Sequence, residues 1–127
     1  MSSIFSKIIN DELTGYKVYE DEYVCAILDS NPIQKGHTLV IPKQEVDYLF
    51  DLDEALFDKV MHRTRYMAQV LKAKLGCARV CVMVEGYAVP HAHIHLIPTD
   101  SPDDLDKKHI YKASEEELRT VQQLIIS

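Results

Sequence analysis

The chain has 127 residues and a mass of 14.6 kDa, the size of one domain that buries a core of its own. Its 14 Lys and Arg against 20 Asp and Glu give a net charge of −6, which disfavours DNA or RNA as the main partner because an acidic surface repels a polyanion. With 4 Gly, 5 Pro and only short apolar runs, the composition excludes a low-complexity chain and a membrane-spanning helix.

The compartment is predicted from the N-terminus and the cysteines. The first residues show no long apolar stretch of the kind that marks a secretory signal. Cys25, Cys77 and Cys81 are odd in number and form no C-x-x-C pair, and the apolar surroundings of Cys25 and Cys81 favour buried thiols over metal ligands. We therefore expect a cytoplasmic protein in a reducing compartment.

A short helix and three strands are predicted in the first third of the chain. Apolar residues lie along one side of a helix over residues 4–9. Residues 17–20 and 23–29 are predicted strands around an Asp-Glu turn, and residues 37–41 (HTLVI) form the next strand, which Pro42 ends.

A long helix is predicted over residues 51–75. Asp51, with Glu54 three residues later, is a candidate capping box, and Gly76 is a suitable helix stop. Leu56, Val60, Met67, Leu71 and Leu75 keep near-helical spacing, so one face of this helix is predicted to be buried.

Two strands and a second capped helix complete the chain. Residues 79–84 and 91–97 are predicted strands, and residues 99–113 are polar and loop-like. Ser114 and Glu117 are a capping box for a C-terminal helix whose inward residues are Leu118, Val121 and Ile125. This order predicts an α+β fold with a five-stranded, mostly antiparallel sheet and the long helix on one face.

Three of the six histidines lie within five residues, in the segment PHAHIHLIP at 90–98. Because side chains alternate along a strand, one face would carry three imidazoles about 7 Å apart and the other face would carry core residues. The two sets are His91, His93 and His95 on one face, and Ala92, Ile94 and Leu96 on the other.

Three interpretations of this histidine row remain open from the residues alone. A solvated strand face would normally carry Lys, Glu and Thr instead. A metal site is chemically possible because His is the commonest zinc ligand, but three histidines at strict spacing two are too spread for one tetrahedral ion. The third is nucleophilic chemistry at phosphorus, in which one imidazole attacks and its neighbours orient it or bind phosphate oxygens.

The segment HAHIHLIP resembles the His-φ-His-φ-His-φ-φ signature of the histidine triad (HIT) superfamily, in which φ is apolar. IFSKIINDE resembles the N-terminal helix of that family, and LDSNPIQKGHTLVIPK resembles its second conserved block. The resemblance spans about residues 3–98 of a single HIT domain over 1–127, which leaves 99–127 as a C-terminal extension. It implies a five-stranded antiparallel sheet with two helices. It also implies a homodimer whose sheets continue across the interface, as in the Hint and Fhit branches.

The resemblance assigns a role to four histidines. His93 matches the nucleophile that takes the α-phosphoryl group of a nucleotide and forms a nucleotidyl-histidine. His95 and His37 match histidines near the phosphate, where they would stabilise charge on the pentavalent phosphorus. His91 matches the first triad position, whose hydrogen bonding helps to orient the row.

The resemblance also implies how the nucleoside is held. Asp29 matches the acid that accepts hydrogen bonds from the ribose hydroxyls, although an Asp before Ser-Asn-Pro also suits a turn cap. The apolar slot for the base would be lined by residues that could equally be plain core, namely Phe5, Ile8 and Ile27. His62 and His109 match nothing and are predicted at the surface.

This sequence departs from the family pattern at a metal site. Many members carry C-x-x-C near the N-terminus for a structural zinc, but those positions are Ser3 and Ser6 here. The partner histidine is also absent, because Gln44 and Glu45 stand after the VIPK block. These losses together argue against that zinc, and we predict no metal and no cofactor.

Two further departures concern the leaving group and the choice of substrate near the C-terminus. Residues 84–90 (VEGYAVP) are shorter than the matching segment of many members and lack its Asn and its Gln or Ser, which supply polar donors. The Tyr87 hydroxyl or a backbone N–H could serve instead. The C-terminal residues lack the Trp-containing ending of the Hint branch and have their own helix.

The leading hypothesis is a hydrolase or nucleotidyl transferase that cleaves at the α-phosphate of a purine nucleoside phosphoramidate or a dinucleoside polyphosphate through nucleotidyl-His93. The second is a nucleotide-binding module with little catalysis that acts through protein partners. The third is a metal-binding regulatory protein that uses the imidazole row. The first two require a nucleotide and predict neither a nucleic-acid nor a membrane partner.

Overall fold

The computed structural model describes residues 2–127, which form one five-stranded sheet and three α-helices. In chain order the elements are α1 (Ile4–Ile9), β1 (Lys17–Glu20), β2 (Val24–Leu28), β3 (Thr38–Pro42), α2 (Glu54–Leu75), β4 (Arg79–Met83), β5 (Ile94–Thr99) and α3 (Glu115–Ile126). Short 3₁₀ turns lie at Leu49–Asp51, Pro102–Leu105 and Lys107–His109. The predicted α+β fold is confirmed.

The sheet is antiparallel throughout, with the strand order β1-β2-β3-β5-β4. Strands β2 and β3 are buried on both faces. Strand β4 is a free edge whose Val82 is 56% exposed. The homodimer with a continuous sheet stays a prediction.

Alternation along β2 and β3 divides the core into two layers. Ala26, Leu28 and Val40 point to the face covered by α2 and α3. Cys25, Ile27, Leu39 and Ile41 point to the opposite face, where they pack with Phe5 of α1. The fold thus places α1 against the sheet face that carries the histidines.

The start of the long helix differs from the prediction. Helix α2 begins at Glu54, and its N-cap is Asp53, whose carboxylate accepts a hydrogen bond from the Leu56 N–H at 2.9 Å. Asp51 ends the 3₁₀ turn Leu49–Asp51 and does not cap the helix. The helix ends as predicted, because Gly76 adopts the left-handed conformation with φ of 69°.

The last strand is shifted relative to the prediction of 91–97, since β5 runs from Ile94 to Thr99. Pro98 lies inside this strand, opposite Val80 of β4. Strand β3 pairs with β5 only as far as Leu96, so β5 is paired on one side at Pro98, where the missing N–H is tolerated.

Other predictions have mixed outcomes. Cys25 is buried, and desolvation raises the pKa of its thiol to about 11. The prediction that Cys81 is buried is wrong, because it lies half-buried on the edge strand β4.

The C-terminal segment agrees with the prediction in part. The 99–113 segment contains two of the 3₁₀ turns, and Ser114 caps α3 as predicted. Between residues 2 and 127, no helix combines the length and the apolar character needed to cross a bilayer.

Candidate active site

The four histidines singled out by sequence meet on the α1 side of the sheet. His95 lies in β5, and His91 and His93 immediately precede that strand. His37 directly precedes β3, the neighbour of β5. His37, His91 and His93 are buried, which is unusual for histidine and excludes a solvated strand face. The alternate residues Ala92, Ile94 and Leu96 belong to the core, as predicted.

A backbone carbonyl determines the tautomer of His93. Its Nδ1 lies 2.7 Å from the carbonyl oxygen of His91, and because a carbonyl only accepts, Nδ1 must carry the proton. The lone pair of a neutral His93 is then on Nε2. The ring makes edge contacts with Phe5 and His95, each with 4.9 Å between ring centroids. His93 is therefore a fixed imidazole with a free nucleophilic nitrogen.

A backbone amide determines the tautomers of His37 and His95. The Ile33 N–H donates to His37 Nδ1 at 3.0 Å, so the proton of neutral His37 is on Nε2. That nitrogen lies 2.9 Å from His95 Nδ1 and donates to it, which leaves the His95 proton on Nε2. Desolvation lowers the pKa of both side chains to about 4. The pair is neutral at pH 7, and His95 Nε2–H can donate to a ligand oxygen.

Asp29 lies next to this pair and serves the turn as well. One carboxylate oxygen accepts the N–H of Asn31 at 2.9 Å, so the turn-cap interpretation is correct. The other oxygen is 3.7 Å from His37 Nε2. Burial raises the pKa of Asp29. The structure thus brings the predicted ribose-binding acid to the histidine cluster.

Comparisons with known proteins agree with this geometry. A family model described as the HIT domain matches residues 10–102. The chain is 39% identical over 102 residues to an uncharacterized HIT-like protein of Borreliella burgdorferi, which covers 75% of this chain and 73% of that protein. The chain belongs to the HIT family.

Solved structures extend the likeness of this HIT domain beyond the matched segment. A hypothetical histidine triad nucleotide-binding protein from Sulfolobus tokodaii superposes with a TM-score of 0.86 at 33% identity, covering 96% of this chain and 88% of that one.

A further relative by sequence is adenylylsulfatase HINT3 of Arabidopsis thaliana. It is 30% identical over 107 residues, which are 80% of this chain and 54% of that protein.

Hydrogen bonds with Ser3 and with the Pro42 carbonyl hold His91 of the HIT motif, and Glu45 in turn holds Ser3. The His91 Nε2–H donates to the carbonyl of Pro42 at 2.7 Å, so Nδ1 accepts from the Ser3 hydroxyl, also at 2.7 Å. The Glu45 carboxylate accepts the Ser3 N–H at 2.6 Å and the Ser6 hydroxyl at 2.7 Å. These hydrogen bonds lower the pKa of Glu45.

In the sequence, Ser3, Ser6 and Glu45 stand out only as departures from a zinc-site pattern. Ser3 is also the N-cap of α1, since its hydroxyl accepts the Ser6 N–H at 3.0 Å. Their hydrogen bonding around His91 depends on the contact of Glu45 with Ser6 of α1, and these two residues are 39 positions apart in the chain. No local sequence signal predicts that contact.

The residues predicted to contact the base lie together in the structure, whereas the residue predicted to serve the leaving group is exposed elsewhere. Phe5 and Ile27 are buried and pack in one apolar cluster, with Ile8 partly buried against it. Tyr87 is 94% exposed and is not part of this cluster. Of the two predicted bystanders, His62 is exposed, and His109 is half-buried 3.0 Å from Asp103.

Asp29, His37 and His95 could also be considered as metal ligands, because one donor atom of each lies within 4.8 Å of the others. The hydrogen bonds oppose this. Ile33 donates to His37 Nδ1, so a metal on Nε2 would have to displace the remaining ring proton and form an imidazolate. The arrangement favours a hydrogen-bonded pair over a metal centre.

A cleft of about 480 Å³ opens beside His93 and was not predicted. It lies between the 47–50 segment and the 84–87 segment, and its lining residues are Asp47, Tyr48, Leu49, Phe50, Val84, Glu85, Gly86, Tyr87, Ala92 and His93. The sequence signal for this cleft was the pair of aromatic residues Tyr48 and Phe50. It could not be used, because it is the 3₁₀ turn at Leu49–Asp51 that brings them near the histidine motif.

Proposed function

We propose that this HIT protein is a nucleotide hydrolase or nucleotidyl transferase that acts through a nucleotidyl-His93 intermediate. The observation that carries the proposal is the bond from His93 Nδ1–H to the His91 carbonyl, which leaves Nε2 as the free nucleophile. The names of two relatives, a nucleotide-binding protein and an adenylylsulfatase, support a nucleotide-related function.

In the first step, His93 Nε2 attacks the α-phosphorus of a nucleoside phosphoramidate or a dinucleoside polyphosphate. A bond forms between Nε2 and phosphorus while the bond to the leaving group breaks. The ring becomes cationic, and the His91 carbonyl stabilises it through the Nδ1 proton. His95 donates its Nε2 proton as a hydrogen bond to a phosphate oxygen, where negative charge develops.

In the second step, water attacks the phosphorus of nucleotidyl-His93 and releases the nucleoside monophosphate. Asp29 would accept hydrogen bonds from the ribose hydroxyls through the oxygen that the turn does not use. Phe5 and Ile27 would contact the base, which requires a local opening because both are buried. No metal or cofactor is needed for either step.

We predict that His93→Ala abolishes hydrolysis of adenosine 5′-phosphoramidate, lowering kcat by roughly 10³-fold or more because the covalent route is lost. AMP binding, measured by calorimetry, should stay within about 3-fold, since Nε2 attacks but does not grip the nucleoside. His62→Ala changes an exposed histidine of α2 and is the matched control. Near-wild-type turnover by His93→Ala would exclude this mechanism.

One observation favours the second candidate, a nucleotide-binding module with little catalysis. Tyr87 of the shortened 84–90 segment lines the cleft beside His93 but is 94% exposed, so its hydroxyl is not held in place as a leaving-group donor. Mass spectrometry of acid-free quenched reactions separates the two candidates. A nucleotidyl adduct that is absent from His93→Ala supports the enzyme, and AMP binding without any adduct supports the module.

A further inference from the structure

The loop of residues 30–33 holds two side chains of the proposed active site. The Asn31 N–H donates to the Asp29 carboxylate at 2.9 Å. Two residues later, the Ile33 N–H donates to His37 Nδ1 at 3.0 Å, and Ile33 is only 3% exposed. The position of this loop therefore controls both the acid proposed to bind the ribose and the tautomer of the histidine beside it.

A distant part of the chain, the 104–113 segment, bonds to the alternate residues of this loop. The Ser30 carbonyl accepts a hydrogen bond from the Ala113 N–H at 3.1 Å. The Pro32 carbonyl accepts one from the Tyr111 N–H at 3.2 Å. The order of these partners is antiparallel, as between neighbouring strands. The backbone groups of the loop thus serve the segment and the active site in turn.

The 104–113 segment is itself firmly anchored. Ala113 is buried in the main apolar core. The Tyr111 hydroxyl donates to the carboxylate of Glu117, in the first turn of α3, at 2.7 Å. A third bond to the 29–37 region runs from Gln34 Nε2 to the carbonyl of Asp104 at 3.0 Å. Because the segment is tied to the core and to α3, it can act as a fixed support for the loop.

Helix α3 also packs closely against this corner of the site. Leu118 and Val121 of α3 line a gap with Pro32 and His37, and the gap measures only about 10 Å³. This is roughly the smallest volume that can hold one water molecule. The loop therefore rests on α3 with almost no free space between them.

We propose that the 104–113 segment positions the active site, and that Gln34, Tyr111 and Ala113 are positioning residues that act through the 30–33 loop. This inference rests on the proposed function. With the segment in place, the Ile33 N–H is aimed at His37 Nδ1, so that His37 donates from Nε2 and His95 keeps its own proton for the phosphate. The matched HIT domain ends at residue 102, so most of this support lies beyond it.

The first test removes one backbone bond and reads the tautomers. Ala113→Pro deletes the N–H that donates to Ser30, since proline has no amide hydrogen. Imidazole nitrogen chemical shifts, measured by NMR on isotopically labelled protein at pH 7, show which nitrogen is protonated. In the wild type we expect His37 protonated on Nε2 and His93 on Nδ1. In Ala113→Pro we expect both tautomers of His37, whereas His93 should be unchanged because its partner is the His91 carbonyl.

Activity gives a second measurement on the same variant. Ala113→Pro should lower kcat/KM for adenosine 5′-phosphoramidate by roughly 3- to 30-fold, because Asp29 and His37 lose part of their support. It should also lower the ratio of kcat/KM for this substrate over its 2′-deoxyadenosine analogue by roughly 2- to 5-fold, since Asp29 is proposed to bind the ribose hydroxyls. A simple loss of folded protein would lower both rates equally and leave the ratio unchanged.

Ile125→Ala is the matched control for stability. It weakens the packing of α3 in the core but removes no hydrogen bond between the 104–113 segment and the loop. We expect this variant to be less stable than the wild type and to keep the wild-type tautomers and the wild-type ratio of the two substrates.

A side-chain variant keeps the test decisive if Ala113→Pro does not fold. Gln34→Met preserves the length of the side chain but cannot donate to the Asp104 carbonyl. We expect a shift of His37 toward both tautomers and a decrease in kcat/KM of roughly 2- to 5-fold. Lys35→Met makes the same replacement at the exposed neighbour and should keep the wild-type tautomers and substrate ratio.

The outcomes separate this inference from the proposed function. Wild-type tautomers and kcat/KM in Ala113→Pro and Gln34→Met overturn the positioning role alone. Equal changes in Ala113→Pro and Ile125→Ala also overturn it, since the effect would then follow stability. If the wild-type protein hydrolyses neither nucleotide, the proposed function fails. The tautomers need no substrate, so they still decide whether the segment positions His37.

Discussion

Backbone groups determine which ring nitrogen carries the proton at each histidine of the site. The His91 carbonyl places the His93 proton on Nδ1, and the Ile33 amide places the His37 proton on Nε2. His37 then transmits this choice to His95 through their 2.9 Å bond. Since backbone positions follow from the fold, the folded chain itself determines these protonated nitrogens, and the roles proposed for His93 as nucleophile and His95 as donor do not interchange.

His37 makes folding sensitive to acid. Its pKa in the folded protein is about 4, below the ordinary value of 6.5, so the unfolded chain takes up the proton first. Stability from this group is complete above pH 6.5 and is lost as the pH falls toward 4. The difference of about 2.5 units corresponds to roughly 3 kcal/mol in the free energy of unfolding.

We predict that His37→Asn flattens the pH dependence of stability by roughly 2–3 kcal/mol between pH 7 and 4, measured by urea unfolding. Asn is chosen because its side-chain oxygen can still accept the Ile33 N–H. His62→Asn should follow the wild-type curve, since that side chain is exposed. Parallel curves for wild type and His37→Asn would show that His37 is not the group responsible.

At the scale of elements, boundaries were less predictable than the elements themselves. The row of histidines was predicted within a strand, but β5 begins only at Ile94. Two hydrogen bonds hold the preceding turn. The His91 N–H donates to the Val89 carbonyl at 2.8 Å, and the Ala92 N–H donates to the Val46 carbonyl at 2.7 Å. These bonds replace strand pairing, so His91 can turn inward to Ser3 while His93 stays near His95.

The N-terminus of α2 gives a direct test of the observed boundary. Asp53→Ala should lower the free energy of unfolding by about 1 kcal/mol, because the Leu56 N–H loses its cap. Asp51→Ala changes the residue that the sequence pattern favoured and should stay within about 0.5 kcal/mol. Thermal and urea unfolding of both variants measure the difference. A larger loss for Asp51→Ala would place the helix start where the sequence pattern put it.

At the scale of the whole molecule, the C-terminal segment is part of the main core. Leu118, Val121 and Ile125 of α3 belong to the same apolar cluster as the sheet and α2. Helix α3 packs on α2 and β1, and Gln122 donates to the carbonyl of Lys17 at 2.9 Å. The segment beyond the triad therefore packs on the sheet together with the elements that precede it.

We predict that Ile125→Ala lowers the free energy of unfolding by roughly 2–4 kcal/mol, since it leaves a cavity in the core. Leu124→Ala is the matched control, because Leu124 is the adjacent residue and is 42% exposed. Its effect should stay within about 0.5 kcal/mol. Equal, small losses for both variants in urea unfolding would mean that α3 is not integrated with the core.

The sequence by itself determined the fold class, all eight helices and strands, and the histidines of the site. Periodicity reveals which residues face a core, and Gly76 and Ser114 end or begin helices through local backbone chemistry. The HIT resemblance added a role for His93 and His37, which the fold then brought into one cluster. These features depend on residues near one another in the chain, or on a recognisable motif.

Only the tertiary structure decided the features that join distant segments. The contact of Glu45 with Ser3 and Ser6, and the cleft between the 47–50 and 84–87 segments, depend on how strands and turns are placed in space. The protonated nitrogen of each histidine likewise depends on a backbone group that the fold brings to it. A sequence pattern records which side chains are present and their local period, whereas hydrogen-bond partners across the sheet are set by packing.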